Sequence, residues 1–361
     1  MKLMNIFIIT NHSFMLYKFR KELISKLLKK HNITLVMPAH EFTQEFQEMG
    51  CEIIDIDVDR RGLNPIVDYK LYKKYKSLLK KNHPDMILTY SIKPNIYAGM
   101  AAKKLGIQYC CNITGLGTAF QKPFLARFVT ILYKIAFSKV KIVFFENSSN
   151  MHLFLNKKIV NREKVCLLDG AGVNLNEFQE EKYYYSTTTR FIFIGRIMKE
   201  KGVDELFVAM NRLIDEGFDV HLDIVGPFED NYKDKINELS KSVYYDYHGF
   251  QMKINEYLKK SNCLVLPSYH EGMANTILEA SSMSRVVIVS NIPGCREGVI
   301  DNVSGLLVNV RDSNDLYEKM KKFILLDDKS KINMGKQARK LMEMKFDKRK
   351  VVKNIIKEIE K

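Results

Sequence analysis

Thirteen short apolar runs recur along the chain. Seven lie in its first half, at 3–9, 33–37, 52–56, 86–89, 107–112, 142–145 and 165–168, and six in its second, at 190–195, 221–225, 244–248, 263–266, 286–289 and 305–308. Each has the length of a strand, and most are apolar throughout rather than alternating, the pattern of strands buried on both faces. Most of the intervals between them carry apolar residues at helical spacing. In the first interval Phe19, Leu23, Ile24, Leu27 and Leu28 share one face. Strand and helix in turn predict doubly wound parallel sheets, an α/β fold. The pattern breaks at Asp169-Gly170-Ala171-Gly172-Val173-Asn174, which reads as a linker. Two domains are therefore expected, 1–170 and 175–344. A closing segment, 345–361, has Phe346, Val351, Val352, Ile355, Ile356 and Ile359 at helical spacing.

Charge separates the halves. Residues 1–170 hold 27 Lys and Arg against 13 Asp and Glu, whereas the remainder holds 30 against 29. The first half thus carries almost all of the net +15. Its first helix is ringed by Lys18, Arg20, Lys21, Lys26, Lys29 and Lys30; 69–76 mixes tyrosines with lysines; 120–141 sets Phe124, Leu125, Phe128, Ile131 and Ile135 among Lys122, Arg127, Lys134 and Lys139. Each alone reads as a packed helix with a solvated face. Three in one basic half favour an anionic membrane surface over nucleic acid as a partner. No apolar run reaches the ~18 residues of a spanning helix, and the first ten residues read as a strand, not a secretion signal. The six cysteines form no CxxC pair and read as buried thiols of a reducing cytoplasm. The eight histidines show no metal-ligand spacing, so no metal is expected.

Candidate chemistry gathers where strands end. After the run at 263–266 comes Ser268-Tyr269-His270-Glu271-Gly272-Met273-Ala274-Asn275-Thr276-Ile277-Leu278-Glu279-Ala280. A turn with glycine leading into a helix N-terminus makes an anion site, because the first N–H groups lack partners within the helix. Glu271 and Glu279 would flank a phosphate held there, and carboxylates accept hydrogen bonds from sugar hydroxyls. A diphosphate between hydroxyl-rich rings, a nucleotide-sugar, fits that arrangement. A capping box, Thr276 to Glu279, explains the same residues without a ligand and is the simpler reading of the spacing alone. Behind the strand at 190–195, Arg196 and Lys201 are placed either as phosphate clamps or as part of a solvated turn. In the first half, Asn11-His12-Ser13, 90–95 and 112–118 should open at one sheet edge, with Gly115 and Gly117 permitting a close ligand or a tight bend. The first of these turns lacks GxGxxG, so neither a nicotinamide nor a flavin cofactor is expected.

The set Gly195-Arg196 with Lys201-Gly202, Glu271-Gly272 to Glu279-Ala280, and Gly294-Cys295-Arg296-Glu297 with Gly305 to Val308 resembles the retaining glycosyltransferase family 4. That resemblance implies the GT-B fold, two Rossmann-like domains facing across a cleft, with 345–361 returning to the first domain. It implies that Arg196 and Lys201 hold the donor diphosphate, that Glu271 binds the donor sugar and Glu279 the ribose. Backbone groups of Gly272, Met273, Ala274, Asn275 and Thr276 would line phosphate and sugar, with the base near Phe250. The nucleotide-sugar, expected to be UDP-linked, is a substrate, and no cofactor or metal is implied. Phe19-Arg20, 91–95 and 112–117 resemble the bacterial capsule, O-antigen and N-glycan enzymes acting on undecaprenyl-diphosphate-linked sugars at the inner face of the cytoplasmic membrane. The acceptor side would then involve His12, Arg20, Lys93, Thr114, Gly115 and Gly117. Many members carry a histidine where Thr114-Gly115 stands here, leaving its place to His12 or Thr114. The competing readings are a nucleotide-sugar 2-epimerase, a transferase with a soluble acceptor, and a silent nucleotide-binding module.

Overall fold

The structure, a computed structural model, describes residues 2–39, 41–59, 62, 64–116, 120 and 123–361. The chain divides into two compact units, Met1–Ala171 with Arg349–Lys361, and Gly172–Lys348.

The first unit runs β1 (Asn5–Ile9), α1 (Ser13–Leu28), β2 (Asn32–Met37), α2 (Thr43–Glu48), β3 (Glu52–Asp55), α3 (Pro65–Asn82), β4 (Met86–Tyr90), α4 (Gly99–Leu105), β5 (Gln108–Ile113), α5 (Pro123–Phe137), β6 (Ile142–Phe145), α6 (Ser148–Asn156) and β7 (Val165–Leu167). Its strands form one parallel sheet in the order β3-β2-β1-β4-β5-β6-β7. Successive residues of β1 feed opposite faces, as the two-residue period of a strand requires. Phe7 and Ile9 pack with Leu71 and Tyr75 of α3, Ala101 of α4 and Tyr133 of α5. Ile6 and Ile8 pack with Leu16, Leu23 and Leu27 of α1.

The second unit runs β8 (Thr189–Ile194), α7 (Val203–Asp215), β9 (Val220–Val225), α8 (Lys233–Leu239), β10 (Tyr245–Tyr247), α9 (Ile254–Leu258), β11 (Cys263–Leu266), α10 (Asn275–Ser282), β12 (Val286–Ser290), β13 (Leu306–Val308), α11 (Ser313–Leu325) and α12 (Asp328–Leu341). Its strands are also all parallel, ordered β10-β9-β8-β11-β12-β13. The core fills both faces of the central β8 and β11, where Phe191, Ile192, Phe193, Leu264 and Val265 are wholly buried. Buried Arg285 binds the segment leading into β8. Its guanidinium donates to the carbonyls of Glu181 and Lys182, and also to those of Leu258, Lys259 and Met283.

The last helix, α13 (Lys348–Glu360), buries Val351, Val352, Ile355 and Ile359 in the first unit's core beside α1. Lys141 Nζ donates to the Ile359 carbonyl at 2.9 Å, satisfying one of the carbonyls that a helix C-terminus leaves open.

In each sheet the strand order reverses once at the centre, between β1 and β4 and between β8 and β11. Loops leaving the carboxyl ends of such a pair diverge to opposite faces and open a crevice there.

Candidate active site

In the second unit the two loops at the reversal are those that carry the candidate residues. After β8 the chain passes Gly195 and Arg196, turns through Lys199–Lys201 and starts α7 at Gly202. After β11 it passes Pro267 to Ala274 and starts α10. The loops are stitched together. Tyr269 N–H donates to the Glu200 carbonyl at 2.8 Å, and Tyr269 Oη donates to Glu205 Oε1 at 2.7 Å. Gly202 has φ +70, and a Cβ there would lie 2.1 Å from the Pro267 carbonyl oxygen. Only glycine fits both the backbone and the gap.

This contact brings Lys201 to Glu271. Lys201 Nζ is hydrogen-bonded to Glu271 Oε1, both side chains are largely buried, and Ser268 Oγ donates to the same oxygen at 2.8 Å. Gly294, at φ +88, closes the other side, since a Cβ there would meet the Gly272 carbonyl oxygen at 2.6 Å. Gly294 N–H donates to Glu297 Oε2 at 2.7 Å, and its carbonyl accepts from Ala274 N–H at 2.8 Å. Cys295 lies nearby, its thiol pushed well up by burial and by the Glu271 carboxylate.

Thr276 does not cap α10, contrary to the expectation from its spacing to Glu279. The cap position of α10 is Ala274, with no side-chain cap bond. Thr276 is the second helical residue, already past the position from which a side-chain oxygen accepts the N–H groups of the first turn. Met273 and Ala274 are buried, Asn275 and Thr276 half-buried, and Glu279 is buried one turn into the helix. Arg196 stands apart from Lys201 in environment: its side chain is 51 % exposed, with Glu229 Oε2 at 3.6 Å. Phe250, beyond the end of β10, is also half exposed.

In the first unit the candidates divide. His12 takes the cap position of α1 with extended backbone, its ring 5.9 Å from that of Phe14. Thr114 and Gly115 are half-buried just past β5, whereas Gly117 lies outside the described residues. The loops after β4 and β5 are tied together. Thr89 Oγ1 donates to Asn95 Oδ1 at 2.6 Å, Asn95 Nδ2 to the Asn112 carbonyl at 2.8 Å, and Asn112 Nδ2 to the Thr89 carbonyl at 3.2 Å. Lys93 is buried and engaged, 2.7 Å from Asp68 Oδ1, while Tyr97 Oη donates to Asp68 Oδ2 at 2.9 Å. Arg20 is 3 % exposed. Its guanidinium pairs with Glu146 and lies 5.2 Å over the Tyr90 ring. It braces α1 against the ends of β4 and β6 from inside. Glu146 and Asp68 are the partners that sequence reasoning missed. No local spacing marks either of them, because each meets its cation from a distant stretch of chain.

Two family models match this chain. One, described as "Glycosyl transferases group 1", covers residues 176–341, and the other, "Glycosyl transferase 4-like", covers 6–147. Between them they take in most of both units, and the chain belongs to the glycosyltransferases of the GT-B fold. Among its relatives is the N,N'-diacetylbacillosaminyl-diphospho-undecaprenol alpha-1,3-N-acetylgalactosaminyltransferase of Campylobacter jejuni, 29% identical over 90% of both chains. The UDP-Gal:alpha-D-GlcNAc-diphosphoundecaprenol alpha-1,3-galactosyltransferase of Escherichia coli is 26% identical over 88% of this chain and 90% of its own. The solved structure of Anabaena Alr3699/HepE in complex with UDP and glucose superposes with a TM-score of 0.79, at 13% identity and 99% coverage of each chain. At that identity the likeness shows the fold alone.

Proposed function

We propose that this chain transfers a hexosyl group from a nucleotide-sugar, UDP-linked, to a hydroxyl of a lipid-diphosphate-linked saccharide, with retention, in the building of a bacterial surface glycan. The observation that carries the reading is the meeting of Lys201, Glu271 and the α10 N-terminus, without a side-chain cap, at the strand reversal of the second sheet. A cation and a row of helix N–H groups suit a diphosphate, and a carboxylate beside them suits sugar hydroxyls. The relatives' acceptors support the lipid diphosphate.

In this reading Arg196 and Lys201 hold the diphosphate, and Glu271 leaves Lys201 to accept from the donor sugar. Glu279 serves the ribose. The backbone from Gly272 through Met273, Ala274 and Asn275 to Thr276 lines phosphate and sugar, and Phe250 adjoins the base. The acceptor oxygen bonds to the anomeric carbon on the face from which the phosphate oxygen departs. That oxygen takes the acceptor's proton, and the leaving charge is met by Arg196 and Lys201. The protein's share is position and electrostatics, and the two cations do the work a metal would otherwise do. His12, Thr114 and the loops after β4 and β5 face the acceptor.

The membrane partner rests on α5. Phe124, Phe128, Ile131 and Ile135 form an exposed stripe at helical spacing, with Phe124 88 % exposed, and Arg127 and Lys134 lie on the same helix. Among the described residues no helix is long and apolar enough to cross a membrane. A surface stripe of this kind suits attachment to an anionic leaflet.

The test is to offer UDP-sugars with a lipid-diphosphate-sugar acceptor and to read product and linkage by NMR. Lys201→Ala and Arg196→Ala should each lower turnover by about 10²–10³; near-normal rates in both would refute the site. An epimerised donor formed without acceptor would support the epimerase instead. Sedimentation with anionic but not neutral liposomes, weakened in Phe124→Ser/Phe128→Ser, checks the membrane face.

A further inference from the structure

The edge of the second sheet holds a cluster that the transfer reaction does not use. His221 and Asp223 stand two residues apart on β9, hence on one face, and Asp246 of β10 pairs in register with Asp223. His221 is more than nine-tenths buried. Its Nδ1 lies 3.0 Å from the Val243 carbonyl oxygen, and since a carbonyl only accepts, Nδ1 carries a proton. Nε2 then faces two carboxylates, 3.2 Å from Asp246 Oδ2 and 3.8 Å from Asp223 Oδ1. It makes no hydrogen bond to either oxygen. A buried lone pair set against two carboxylate oxygens is repulsive unless a positive charge sits among them.

We propose that His221 Nε2, Asp223 Oδ1 and Asp246 Oδ2 bind a divalent transition cation of the zinc class, with solvent completing the shell. The three atoms lie within 4.8 Å of one another. Bonds of about 2.0–2.2 Å in a tetrahedral shell set ligand atoms roughly 3.3–3.6 Å apart, and the two measured separations bracket that range. The outer shell is already built. Val243 orients the imidazole, as a carbonyl behind a metal-bound histidine does. Asp223 is held by His248 Nε2, 2.8 Å from Oδ1, and by the Arg190 fork, whose Nη2 is 2.9 Å from Oδ2 and 3.0 Å from Oδ1. With a neutral His221, Asp223 and Asp246 against Arg190 leave one negative charge, which favours a cation. Asp246 is more than half exposed and gives the ion a way in from solvent. The ion would pin the edge strand β10 to β9. It is structural and separate from the transfer proposed at Lys201 and Glu271.

The full chain, dialysed against chelator, is titrated with ZnCl2 by calorimetry and its melting midpoint followed. One site per chain and a midpoint that climbs with Zn2+ are expected. Both should be lost in Asp246→Asn, whose exposed position leaves the fold intact by circular dichroism, and both kept in His152→Gln, an exposed histidine on α6. Co2+ should give a visible absorption band in the wild type and His152→Gln only. No binding by the wild type, or equal binding by Asp246→Asn, overturns the proposal. A midpoint that responds to acid but not to Zn2+ assigns the pocket to a proton and overturns it too.

Discussion

Replacing Gly202 with alanine tests whether the two loops of the candidate site must touch. Gly202 opens α7 at φ +70, and Gly217 lies just past the end of the same helix at φ +83. An alanine at either position must adopt the left-handed region, at a cost of roughly 1–2 kcal/mol. At Gly217 nothing lies within 4 Å of the added Cβ, so that strain is the whole effect. At Gly202 the Cβ would stand 2.1 Å from the Pro267 carbonyl oxygen and 2.8 Å from its carbon. Those are backbone atoms and cannot swing aside. The β8 and β11 loops must part by about 1 Å to restore contact distance, which carries Lys201 away from Glu271. A displacement of that size in a catalytic arrangement costs about 10²-fold in rate. In a unit of this size each kcal/mol lowers the melting midpoint by roughly 2–4 °C. Gly217→Ala should therefore melt about 2–8 °C lower than wild type and bind UDP normally. Gly202→Ala should melt lower still, bind UDP weakly by calorimetry, and release nucleoside diphosphate about 10²-fold more slowly. Equal melting and equal UDP affinity in the two variants would refute the argument that loop contact builds the site.

Three further outcomes follow from buried groups. Arg20→Met or Glu146→Leu alone should cost about 3–5 kcal/mol in urea denaturation, each stranding a buried charge, while the double variant recovers most of the loss; an additive double variant would contradict the pairing. The thiols of Cys51 and Cys110 are pushed up to about 12 by burial, so native protein should resist thiol reagent at pH 8 until unfolded, with half-buried Cys166 the first to react. These raised values favour the protonated thiol in the folded state. Their contribution to stability is therefore full below an ordinary thiol's range and is lost as pH rises from about 9 towards 12, and Cys51→Ala/Cys110→Ala should flatten that alkaline decline in a denaturation series.

The strands and their order along the chain were legible from local pattern alone, with helical spacing in most of the intervals between them. All thirteen apolar runs are strands, with boundaries within two residues; the fully buried β4, β11 and β12 are apolar almost throughout and give way to Ser91, Pro267 and Asn291, as strands covered on both faces do. The start of α10 near Asn275 was legible for the same reason. Contacts between distant stretches were not. Nothing in the spacing of Arg20 says that Glu146, 126 residues on, will bury it, and nothing around Lys201 names Glu271, 70 residues on, as its partner. The capping box at Thr276 was a sound local inference that failed because the Gly294 turn holds Ala274, not Thr276, at the helix start. His221 and Asp223 carry no metal spacing in one dimension, since the third ligand arrives only when β10 pairs with β9 in register. Periodicity is a property of neighbours along the chain. Which loops meet depends on strand order and on a few glycines without side chains, and these act only once the sheet is assembled.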